Sequence, residues 1–151
     1  MSAAFLAHIG AFALLVSSSS LVLGALSPGR ALVSAQPIRR SVISVGLLPK
    51  LMSLREQVVS SAGNIVYTTM DLHEAVAKID EGAYDVLLLC YSVQDEWRQR
   101  LIAHFREHSP KGRIVAITNY PITETPKEVD ELVYGVEGPE ALMDAIQGKA
   151  A

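Results

Sequence analysis

From about residue 41 onward the sequence reads as an α/β fold built on a five-stranded parallel sheet. Short apolar, β-branched runs alternate there with stretches of helical periodicity. One of these runs, Val86 to Leu89, has no polar alternation and lies between Gly82 and Asp85 on one side and Ser92, Gln94 and Asp95 on the other. Such a run fits a central strand buried on both faces, as in a parallel sheet. Each gap between runs holds roughly one helix, the spacing that right-handed crossovers between parallel strands require.

Taken in order, residues 42–48 are apolar with β-branched members and Gly46, and form the first strand. Pro49 opens a helix with Leu51, Leu54, Val58 and Ala62 on its inner face and Gly63 at its C-terminal cap. Residues 65–69 are a short second strand. Asp71 and Glu74 make a capping box for a second helix, whose Leu72, Ala75, Val76 and Ile79 face the core. The central strand follows over residues 85–90. Asp95 and Glu96 favour the positive end of a third helix, with Trp97, Leu101, Ile102 and Phe105 inward and Arg98, Arg100, Arg106 and Glu107 in solvent. The turn Pro110-Lys111-Gly112 leads to a fourth strand over 113–118. Residues 121–127 contain two prolines and little apolar periodicity, so a full helix is not expected there. A fifth strand is expected over 131–136. Pro139 then starts a last helix with Leu142, Ala145 and Ile146 inward. The reading gives five strands and four or five helices.

The chain has 151 residues, enough for one domain with a proper core. Its formal net charge of -3 supplies no basic footprint for nucleic acid. Cys90 is the only cysteine, which excludes an internal disulfide and any Cys-x-x-Cys motif. No Lys, Arg, Asp or Glu precedes Arg30, and residues 3–26 are mostly apolar apart from His8, Gly10 and four serines. At that length the segment could span a bilayer. Arg30, Arg39 and Arg40 would then keep the following domain on the cytoplasmic side. The alternative is that the native start lies downstream. Residues 1–29 are thus an apolar segment, 30–40 a linker with two nearby prolines, and 41–151 the folded domain.

With the elements placed, residues 41–148 resemble the receiver domain of two-component response regulators, a doubly wound, flavodoxin-like fold. The resemblance rests on residues 42–49 followed by a helix, and on Glu81-Gly82-Ala83-Tyr84-Asp85 leading into Val-Leu-Leu-Leu. It rests also on Ile114 to Thr118 ending in threonine, and on Gly138-Pro139-Glu140-Ala141-Leu142 opening the last helix. The family implies a phosphoryl-accepting aspartate at the end of the third strand, where this chain has Cys90. It implies a magnesium-holding acidic pair after the first strand, which falls on Gly46 and Leu47. It also implies a switch hydroxyl, kept as Thr118, and a lysine after the fifth strand, which falls on Gly135. Phosphoryl transfer to a carboxylate needs a divalent cation and a positive group on the transferring oxygens. Glycine, leucine and cysteine cannot supply the oxygen ligands that magnesium prefers. The resemblance is therefore to a pseudo-receiver. Such a module would be non-catalytic, with no cofactor and no metal, and would bind a protein partner or a second copy of itself through its surface. The shortened stretch 121–127 alters the face formed by the fourth helix, fifth strand and fifth helix, which often carries output in receivers.

Two other readings stay open. Cys90 could serve an enzyme or redox sensor, since a thiol becomes nucleophilic beside a base or positive field. His104 and His108 are the nearest candidate bases in sequence. A buried structural thiol is the plainer reading. The strand ends could instead bind a small ligand. His104 and His108 have the one-turn spacing of metal ligands, but with no third ligand nearby in sequence they read as helix-surface residues.

Overall fold

A computed structural model describes residues 36–149 except Ala83. The reading of residues 3–26 as a membrane anchor falls outside the described residues. Among those described, no helix is long and apolar enough to cross a membrane.

Nine elements follow in the order β1 (Ser41–Val45), α1 (Pro49–Ser61), β2 (Ile65–Thr69), α2 (Leu72–Asp80), β3 (Val86–Leu89), α3 (Asp95–His108), β4 (Arg113–Thr118), β5 (Glu131–Tyr134) and α4 (Pro139–Gln147). All strand pairs are parallel, in the order β2-β1-β3-β4-β5. β3 lies at the centre and every one of its residues is buried, as its unbroken apolar run demands. The two-residue period of the strands divides the core into two layers. Ile43, Val45, Leu87, Leu89, Ile114 and Ala116 face α2 and α3, while Val42, Val86, Leu88, Val115 and Ile117 face α1 and α4. This is the five-stranded, doubly wound fold expected from the sequence.

Several elements depart from their sequence reading. β1 ends at Val45 because the Leu47 N–H leaves the ladder for Ser92 Oγ, at 2.8 Å. β5 ends at Tyr134, where the chain turns and leaves Val136 exposed. On α1 the inner face is rotated by one residue: Met52 and Val59 are buried and Leu54 is 57% exposed. Asp71 caps α2 through the N–H groups of His73 and Glu74. The reciprocal half of the capping box is missing, because the Glu74 carboxylate accepts from Tyr67 OH and Thr69 Oγ1 instead. Arg106 is not a free solvent charge. It donates to the Gly112 carbonyl at 2.7 Å and pairs with Asp130 at 2.7 Å, and Asp130 also accepts from the Ile114 N–H.

β4 and β5 are joined by residues 119–130 without a helix. Val129 fills the α2–α3 layer at that edge, and the Asp130 N–H extends the β4 ladder by donating to the Ile114 carbonyl.

Candidate functional site

In an open parallel sheet, chemistry collects where the strands end. Gly46, Leu47, Cys90, Thr118 and Gly135 each lie just beyond or at the C-terminal end of a strand. The Cys90 N–H donates to the Val45 carbonyl at 2.9 Å, which sets Cys90 against Gly46. The contact is tight: a methyl group on Gly46 would sit 2.5 Å from Met52 Sδ and 2.6 Å from Cys90 Cβ. The space in which a carboxylate side chain would stand is occupied by a thioether.

Cys90 is 2% exposed, and the Arg55 guanidinium donates to its sulfur at 2.8 Å. The same guanidinium lies 5.9 Å from the Tyr91 ring centroid, within reach of a cation–π attraction. Leu47 points outward, 40% exposed. Thr118 is buried, and its hydroxyl donates to the Tyr120 carbonyl at 2.8 Å while accepting from the Tyr120 N–H. Gly135 donates to the Thr118 carbonyl at 2.8 Å, and a Cβ there would meet that oxygen at 3.3 Å. Gly46 and Cys90 are thus brought together, and so are Thr118 and Gly135. The one formal charge among these groups and their contacts is Arg55, a cation. An apolar cleft of about 370 Å³ opens beside it between α1 and α4, lined by Leu51, Arg55, Val58, Tyr134 and Leu142.

Met52 and Arg55 escaped the sequence reading. Their spacing with Val59 and Ala62 is as helical as that of Leu51, Leu54 and Val58, but a charged residue in the middle hid the face. His104 and His108 do not approach Cys90. They lie at the far end of α3, where Ser109 donates to the carbonyl of Tyr84 just before β3 begins. A third potential ligand, Asp80, stands there with them, contrary to the expectation of an isolated pair.

No family model matches the chain, and no curated protein matches it in sequence. Solved structures do match. Chemotaxis protein CheY4 of Vibrio cholerae superposes with a TM-score of 0.65 at 18% identity, covering 75% of this chain and 100% of that one. A CheY-like response regulator receiver domain protein from Methanospirillum hungatei gives 0.64 at 17% identity, covering 74% and 94%. A response regulator protein from Burkholderia pseudomallei, solved with a phosphorylated aspartic acid, gives 0.60 at 16% identity, covering 71% and 66%. The fold of residues 41–148 is that of response regulator receiver domains.

Proposed function

We propose that this chain is a non-catalytic signalling module of receiver fold that takes no phosphoryl group at the strand ends and acts by binding a protein through its surface. The observation that supports this reading most directly is the packing of Gly46 against Met52 and Cys90. A receiver phosphorylates a carboxylate with a divalent cation held opposite it. Here a thiol stands at the end of β3, no side chain fits at Gly46, and Leu47 is apolar. Arg55 supplies a positive charge at this end of the sheet, but it donates to sulfur and lies 5.9 Å from the Tyr91 ring centroid.

The Arg55 guanidinium on the sulfur is the positive field that a Cys90 enzyme or redox sensor would call for, but burial weighs against that reading, as does the placing of both candidate histidines at the other end of the sheet. The experiment is incubation of the full chain with acetyl phosphate and Mg²⁺, followed by intact-mass measurement and peptide mapping. No Mg²⁺-dependent phosphoryl addition at the strand ends is expected, and its appearance would overturn the reading. A thiol-alkylating probe tests the rival directly. Cys90 should react only as fast as the domain opens, and rapid labelling of the native protein would favour the redox reading. Cys90→Asp alone should also stay unphosphorylated. Its new carboxylate would lie beside Arg55, so the stability loss should stay within about 1–3 kcal/mol in urea titration.

A further inference from the structure

We propose that Asp80, His104 and His108 form a binding site for a divalent transition-metal ion of the zinc type, clamping the end of α2 to the end of α3. His104 and His108 are one turn apart on the same face of α3, and Asp80 closes α2 opposite them. Asp80 Oδ1 lies 3.5 Å from His104 Nε2 and 3.6 Å from His108 Nε2. Two ligand atoms bound about 2.1 Å from a tetrahedral metal are about 3.4 Å apart, so both separations match an edge of that tetrahedron. The three ligand atoms lie within 4.8 Å of one another, on imidazoles that are 32% and 30% exposed.

The outer contacts of the rings point the same way. His108 Nδ1 is 3.0 Å from the His104 carbonyl. A carbonyl can only accept, so Nδ1 is the protonated nitrogen in this contact, which leaves Nε2, on the Asp80 side, as the nitrogen that the ring can offer to a metal. His104 Nδ1 has the Glu107 carboxylate 3.9 Å away, one turn along α3. A metal-bound imidazole is usually oriented through its second nitrogen by a hydrogen-bonded carbonyl or carboxylate, the part the His104 carbonyl plays for His108, while Glu107 stands beyond hydrogen-bond distance of His104. Two imidazoles and one carboxylate suit zinc and its first-row neighbours. Magnesium and calcium favour all-oxygen sites, and soft monovalent copper favours sulfur. Three protein ligands leave a position open to water. The site stands at the opposite end of the sheet from Cys90 and does not depend on the functional reading given above.

Isothermal titration of the full chain with Zn²⁺ tests the proposal. One saturable equivalent is expected. Asp80→Asn, His104→Gln and His108→Gln should each weaken it by about tenfold or more. All three positions are at least partly exposed, and circular dichroism of each variant checks that its fold is intact. The double variant His8→Gln/His73→Gln removes the other two histidines of the sequence and should leave the affinity unchanged. Bound Co²⁺ should show d–d bands without thiolate charge transfer. Absence of saturable binding up to millimolar Zn²⁺ would overturn the proposal. So would affinity that survives loss of His104 or His108, or a thiolate band that implicates Cys90.

Discussion

At Gly46 the hydrogen in place of a side chain is what lets α1 and the end of β3 meet. Gly46→Ala would drive a methyl into the Met52 thioether and Cys90 Cβ, an overpacking expected to cost about 1–3 kcal/mol. In a Met52→Ala background the same change should cost less, by at least about 0.5 kcal/mol, because the thioether is gone and only the contact with Cys90 Cβ remains. Urea denaturation of the four proteins of this cycle measures the difference, and strict additivity would show that the crowding is relieved elsewhere. Any larger side chain placed at Gly46 therefore meets both Met52 and Cys90. The sequence disclosed the identity of Gly46, Leu47 and Cys90, but it counted all three within their strands, which end at Val45 and Leu89. It could not disclose Arg55 on the sulfur, because an arginine within a helix reads as a solvated charge until tertiary packing turns it inward.

Among the elements, α2 shows a capping residue drawn away from its helix. Tyr67 and Thr69 on β2 both donate to Glu74, so the helix N-terminus is tied to the sheet edge by side chains. The Thr69 hydrogen bond, and after it that of Tyr67, holds the Glu74 carboxyl below its ordinary range. The stability that Glu74 contributes is therefore present at neutral pH and is lost as pH falls through its lowered folded value. The Tyr67 phenol is raised, chiefly by its hydrogen bond to Glu74, so its share is present below the ordinary tyrosine range and fades as pH climbs past it. Glu74→Gln should flatten both limbs of the stability–pH curve, and an unchanged acid limb would show that other carboxylates dominate it. Asp71→Ala removes two N–H bonds and should cost about 1 kcal/mol by thermal or urea unfolding. The motif Asp-x-x-Glu correctly marked where α2 begins. The partner of its glutamate was illegible, since β2 supplies hydroxyls that the local pattern does not contain.

For the molecule as a whole, β1 to α4 close both core layers with residues between Val42 and Ile146. Removing residues 1–37 should leave a domain that unfolds in one cooperative transition, with fluorescence and circular dichroism giving the same midpoint. Two different midpoints would show that the deleted residues support the sheet. The five parallel strands and the absence of a helix after β4 followed from alternating periodicities and the prolines of 121–127, whereas the order of the strands in the sheet came only from the structure. So did the strand ends, because they are set by which hydroxyl or carbonyl captures the next N–H.

The helix-free join between β4 and β5 also fixes how the domain breathes. Residues 119–128 are all exposed, so opening them uncovers almost no apolar surface. Regions of that kind open far more often than the domain unfolds. Amide hydrogens along 119–128 should exchange with solvent deuterium early, while those of β3 wait for global unfolding. Within residues 41–148, trypsin should nick the native chain first after Lys127. The two pieces would then stay paired through β4 and β5 until denaturant parts them.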